Sequence, residues 1–232
     1  MNNKMKRFAM MGFLGAILFM IGDCLIFVFH GRNPELNVDP IYAQMSVWRF
    51  QASAFLGWLG TVGMLFGFYS FYHAVRELCV RWLQKITMLS LGGVVGLSLA
   101  HFDLGVLQPY IYKSVLEAGG DNAIAAKAAN LAGGWTIVLD GLIIFLFYIQ
   151  FLIQIYLIVS KKAGLSKWYL LLGPIGAVLI GILWKTIFDG YTIAGSWGSC
   201  ESLGEGLIYL TIYFYWKKKS FLKKGGIDVI EM

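Results

Sequence analysis

The sequence predicts an all-α membrane protein, a single bundle of six transmembrane helices with both termini in the cytoplasm. Three observations predict it. Six apolar runs each approach or exceed the ~20 residues of helix that a hydrocarbon core about 30 Å thick requires. The 232-residue chain is 58% hydrophobic and only 14% charged, with a mean hydropathy of +0.68, against about 25% charged in ordinary soluble domains. Basic residues, finally, alternate between successive connections.

The runs lie at about 8–30, 48–74, 86–112, 135–159, 168–189 and 193–216. They are too long, and too apolar on every side, for barrel strands, which show ~10-residue segments of alternating polarity. Lipid also requires backbone groups to be satisfied within each segment, which a helix does. The first run follows Lys4, Lys6 and Arg7 as a signal peptide would. No small-residue cleavage site follows, and Asp23 directly before Cys24 spoils a lipoprotein site, so the run reads as an uncleaved helix.

Orientation follows from the basic residues. Lys4, Lys6 and Arg7 precede the first helix, Arg76, Arg81 and Lys85 fill the second connection, and Lys161, Lys162 and Lys167 fill the fourth. Lys217, Lys218, Lys219, Lys223 and Lys224 open a basic tail at 217–232. The other connections hold only Arg32, Lys113 and Lys127, offset by Glu35, Asp39, Glu117 and Asp121. This places both termini inside and the protein in the cytoplasmic membrane. It also accounts for the net charge of +6 as orientation rather than nucleic-acid binding. Trp48, Trp135, Trp168, Trp197 and Trp216 fall near helix ends, as interfacial aromatics do. In the outer connections, 121–130 reads as a short surface helix and 31–46, with Pro34 and Pro40, as irregular chain.

Ionisable groups inside a membrane are costly and mark function more often than not. On 1.5 Å of rise per residue, Asp23 lies roughly 22 Å from the cytoplasmic edge and His101 and Asp103 about 22–25 Å. Asp140 lies ~8 Å from the outer edge. Lys185 and Asp189 end the fifth helix, Glu201 and Glu205 open the sixth, and Arg49 stands at the outer mouth. The inner half holds uncharged Gln150 and Gln154, with His73 at its border. The expectation is an outward-facing acidic cavity closed beneath by apolar packing. Helical spacing puts Glu201 with Glu205, and Thr136 with Asp140, on shared faces. His101 and Asp103 diverge by about 200° and cannot both point straight inward; His101 is preferred, with Ser98 on its side.

Competing readings are specific. The charges can be ion pairs that only fix packing, Lys185 and Arg49 neutralising two acids; the surplus of carboxylates opposes this. A metal site lacks convergent histidines, since His30, His73 and His101 lie on different helices. A Ser-His-Asp arrangement of His101 with Ser98, Ser199 or Ser202 has no nucleophile elbow. Cys24 and Cys200 can meet as a disulfide but read better as small packing residues. The glycine-rich stretches carry no Lys-Ser/Thr and read as close-packing positions, and Pro174 is expected to kink the fifth helix. No cofactor is implied. Similar residues around Asp23 and Asp140, and Trp-led, glycine-bearing second and fifth helices, make a faint three-plus-three echo of the inverted repeats of transporters.

Gly22-Asp23 late in the first helix, and Trp48-Arg49 opening a glycine-rich second, resemble an uncharacterised family of bacterial multi-pass membrane proteins. The resemblance covers the first third of the chain. It implies the architecture and no activity.

The functional expectation is a membrane-embedded binding or catalytic protein. Asp23, His101, Asp140 and Glu205 would do the chemistry, and Arg49, Lys185, Glu201 and Asp103 would bind a lipid-like or cationic small molecule. The alternatives are a proton- or sodium-coupled secondary transporter and a structural membrane subunit. Membrane lipids are the expected partners.

Overall fold

A computed structural model describes residues 1–30, 40–134, 136–187, 191–193 and 196–224. Helix dominates. The elements are α1 (Asn2–Phe27), β1 (Val28–His30), a 3-10 turn (Pro40–Gln44), α2 (Val47–Leu78), α3 (Arg81–Ala100) and a π-helical segment (His101–Leu107). There follow α4 (Gln108–Glu117), α5 (Asn122–Gly133), α6 (Ile137–Val159), a second 3-10 turn (Lys167–Leu171), α7 (Pro174–Ile187), β2 (Tyr191–Ile193) and α8 (Ser196–Lys224).

Among the described residues, four helical stretches are long and apolar enough to cross a membrane: Asn2–Ile26, Val47–Leu78, Arg81–Glu117 and Val138–Val159. Their outward faces carry large apolar side chains that water would not tolerate in such number. On α6 alone, Leu142, Phe145 and Leu152 are 52%, 64% and 66% exposed. A continuous belt of this kind is at home in lipid.

Lipid supplies no hydrophobic drive between helices, so close backbone packing must do that work. The central seam shows it. α1 runs antiparallel to α2 with Gly12 on Gly67 and Gly15 on Gly60 and Gly63, and α8 covers both along Gly206 and Tyr209. A Cβ on Gly15 would lie within 2.7 Å of the backbone of Gly60, Gly63 and Met64. Gly93 and Gly96 seat α3 against Phe147 and Ile143 of α6 in the same way. The core between these pairs is aromatic, with Phe19, Phe68, Phe71, Phe147, Phe151 and Trp216 buried.

The four basic stretches meet at one end of the bundle. Ser70 Oγ donates to the Met5 carbonyl (2.9 Å) and Tyr215 OH to Glu77 Oε2 (3.0 Å). Lys219 pairs with Glu77, and Lys218 donates to the Gly164 carbonyl. The far end has its own smaller core, in which α5, α4 and the first 3-10 turn close over Ile26 and Phe50. Asp121 caps α5 by accepting from the Ile124 amide at 2.8 Å, which makes the surface helix expected at 121–130. Lys113 donates to the Ala43 carbonyl (2.9 Å) and pairs with Glu117. β1 pairs antiparallel with β2, Val28 opposite Ile193.

Three expectations change. The run at 168–189 is not one helix kinked at Pro174. A 3-10 turn at Lys167–Leu171 comes first, and Pro174 begins α7. Proline lacks an N–H and disfavours helix in the residue before it, so it starts this helix rather than bending it. α8 runs on to Lys224, so the start of the basic tail is helical. Trp216 is therefore inside α8 and buried at 0% exposure, not interfacial, with Tyr215 against its ring. Asp189, Trp135 and most of the irregular 31–46 segment lie outside the described residues, as does the Cys200 side chain on which a disulfide would depend.

Gly15→Leu should force α1 from α2 and cost about 1–3 kcal/mol, as overpacking does. Thermal unfolding in micelles measures it; Leu14→Ala, at a position 54% exposed, should be close to neutral.

Candidate functional site

Asp23 and His101, 78 residues apart in sequence, meet inside the bundle: His101 Nδ1 lies 2.8 Å from Asp23 Oδ1. They are 3% and 7% exposed. Asp23 Oδ2 accepts from Ser202 Oγ at 2.8 Å. On the other side of the ring, His101 Nε2 lies 3.1 Å from the Ser53 carbonyl and 3.1 Å from Ser53 Oγ. Ser53 Oγ donates to the Gly22 carbonyl at 2.8 Å. One polar centre thus joins α1, α2, the π-helical segment and α8.

Local sequence makes room for it. Gly57, one turn beyond Ser53 on α2, lies under the imidazole, and a Cβ there would stand 2.5 Å from His101 Cδ2. Phe19 packs on the ring from α1, centroids 4.8 Å apart. The π-helical turn begins at His101 itself; such turns recur at functional sites.

The bonding places the protons. A carbonyl only accepts, so Nε2 facing the Ser53 carbonyl carries a hydrogen. Ser53 has already given its hydroxyl hydrogen to Gly22. A second proton must therefore lie between Nδ1 and Asp23 Oδ1, on the ring or on the acid. In either form the pair is neutral overall, which is what a low-dielectric interior demands. The spatial order Ser53, His101, Asp23 matches that of a hydrolytic triad. Yet Nε2 holds a proton and Ser53 donates elsewhere, so His101 is not poised to take the hydroxyl proton.

A second group lies two residues along the same segment. Thr136 Oγ1 contacts Asp103 Oδ2, Asp140 Oδ2 (3.0 Å) and the Gly133 carbonyl (2.8 Å). One hydroxyl hydrogen thus faces three acceptors. A third group is deeper. Gln150 Nε2 of α6 donates to Glu205 Oε1 of α8, with both residues fully buried. The Tyr209 hydroxyl closes on Glu205 and Gln150, and Gln154 lies one turn further along α6.

The predicted site residues are thus distributed. Asp23 and His101 come together, with Ser202 on the acid. Asp103 and Asp140 come together through Thr136. His101 and Asp103 do diverge, but both are buried, because the bundle flanks the π-helical segment on both sides. Glu205 sits nearer the middle of the bundle than expected, at the level of Gln150. Arg49 donates to the Leu25 carbonyl at 2.7 Å, near the end of α1. The side chains of Lys185 and Glu201 lie outside the described residues. Ser98 does not reach the imidazole; Ser53, missed in the sequence, does. Its signal was its place four residues before Gly57 on the small-residue face of α2. Among the described residues no three metal-binding side chains converge.

A model of the DUF6796 family, a family of unknown function, matches residues 1–219, and the chain belongs to that family. No curated protein and no solved structure is significantly similar to it.

Asp23→Asn and His101→Gln should each cost about 3–5 kcal/mol, the usual penalty for stranding one half of a buried pair. The double variant should lose clearly less than the sum. Unfolding in micelles by denaturant measures all three; strict additivity would show that the two groups do not act on each other.

Proposed function

We propose that this DUF6796 protein is a six-span protein of the cytoplasmic membrane that binds a cationic or lipid-like small molecule at a proton-holding site centred on Asp23 and His101. The contact of His101 Nδ1 with Asp23 Oδ1 at 2.8 Å, inside a membrane-spanning bundle, carries the reading. Two further observations support the topology. The basic stretches share one end, which is the cytoplasmic end by the positive-inside rule. α8, 29 residues long, has the length of a further span.

The chemistry is competition. With its shared proton the centre is neutral. Losing that proton leaves one negative charge in a poorly solvated site, and a cation then binds in its place. Asp103, Thr136 and Asp140 form a second proton-holding group beside the first, on the far-end side, where a ligand arriving from outside would pass.

A second reading, a proton- or sodium-coupled transporter, is favoured by Glu205. This acid, with Gln150, Tyr209 and Gln154, continues a buried polar line from Ser202 toward the basic end. A transporter needs such a line and a one-sided binding protein does not. Glu205→Gln in proteoliposomes separates them, since loss of substrate-driven proton uptake with binding retained favours transport.

Binding of tetraphenylphosphonium to the purified protein tests the first reading. Asp23→Asn should weaken it about tenfold by removing the negative charge that a cation requires; an affinity that survives the substitution refutes it. For the topology, a membrane-impermeant maleimide should label Ala123→Cys in intact cells and Ser160→Cys only after lysis, in a background without the native cysteines.

A further inference from the structure

At the basic end, two cavities share a wall. The larger, about 680 Å³, opens between the start of α1, the loop after α6 and the last turns of α8. The smaller, about 400 Å³, adjoins it through Asn3 and Lys6. Lys6, Lys217 and Lys218 line the larger cavity and Arg7 the smaller, and no carboxylate lines either. Among the described residues Glu77 is the acid at this end of the bundle, and it is taken by Lys219 and Tyr215. Among the described residues Lys6, Arg7, Lys217 and Lys218 enter no ion pair. Lys218 is held inward through the carbonyl of Gly164, whose left-handed backbone (φ +60°) turns the loop toward α8.

The remaining walls are apolar. Tyr169 and Phe214 stack edge to face at 5.6 Å in the larger cavity, and Met10 and Tyr213 line the smaller. Cations without a counter-charge among the described residues sit beside aromatic and aliphatic surface where the helices leave the hydrocarbon. A free phosphate needs only the first of these features. A phosphate carried on acyl chains uses both.

We propose that this double cavity is a binding site for the headgroup of an anionic phospholipid. The phosphate lies among Lys6, Lys217 and Lys218, and the glycerol and upper chains lie along Tyr169 and Phe214. Basic recesses between spans on the cytoplasmic side take such headgroups, and each Lys near the surface contributes a factor of about five. The site is separate from Asp23 and His101 and does not depend on their role. It draws α1, α8 and the 3-10 turn before α7 onto one ligand.

Native mass spectrometry and vesicle competition test this on the full chain in micelles, with phosphatidylglycerol against phosphatidylcholine. The protein should retain phosphatidylglycerol selectively. Lys6→Gln with Lys217→Gln and Lys218→Gln should weaken that retention about a hundredfold. Lys161→Gln with Lys162→Gln and Lys167→Gln removes equal charge from the same end outside the cavities and should leave it within about twofold. Equal losses in the two sets would reduce the effect to general surface charge and overturn the site. Binding of soluble glycerol phosphate as tightly as the lipid would overturn the lipid as its occupant. Should the triple variant fail to fold, Lys217→Gln alone, at an exposed position, must still lose about fivefold, and no loss there refutes the proposal.

Discussion

The bundle is organised by one requirement: a carboxyl group on α1 must be made neutral where water is scarce. Asp23 meets it with the imidazole of His101 at 2.8 Å and the hydroxyl of Ser202 at 2.8 Å. His101 then needs an acceptor for its other nitrogen and finds the Ser53 carbonyl. Each demand recruits another helix, until α1, α2, the π-helical segment and α8 share one network. Much of the nearby packing serves that meeting. Gly57 lacks a side chain under the ring, and Phe19 covers its face.

The same solution recurs without a cation. Asp103 and Asp140 share Thr136, and Glu205 leans on Gln150. Lysines could have neutralised these acids, but the described cations gather at the ends. Neutral hydrogen-bond donors and an imidazole stand beside them instead. A group neutralised by a proton can give that proton up, whereas one locked to an arginine cannot. That difference separates a membrane protein with internal chemistry from one whose charges only fix its packing.

The two ends divide the labour. The far end is closed by α4, α5 and the 3-10 turn at Pro40–Gln44 over a small core. The basic end is tied by Glu77, Tyr215 and Lys219 but keeps a lysine-lined recess beside it. The buried acids thus lie beneath a tight cap, and the other end presents an open, charged recess.

The all-helical, apolar character of the chain was legible in the sequence because lipid imposes length and polarity on each segment independently of the others. The long apolar runs, the clustering of basic residues at one end and the helix at 121–130 all follow from local composition. That Asp23, His101 and Asp140 need polar partners was legible too, since charge in an apolar run has no local explanation. Their partners were not. Whether Asp23 meets His101 rather than Glu205 depends on how α1, α3 and α8 rotate and slide, which the glycine contacts at Gly15, Gly57 and Gly206 decide jointly. Ser53 drew no notice because a serine in a membrane helix is ordinary until a ring nitrogen is placed against it. Pro174 shows the same limit, since a proline can bend a helix or begin one. Composition along the chain determined which segments are long and apolar enough to cross a membrane. Only packing between them decided which polar groups meet there, because a buried proton is shared across helices and belongs to no single segment.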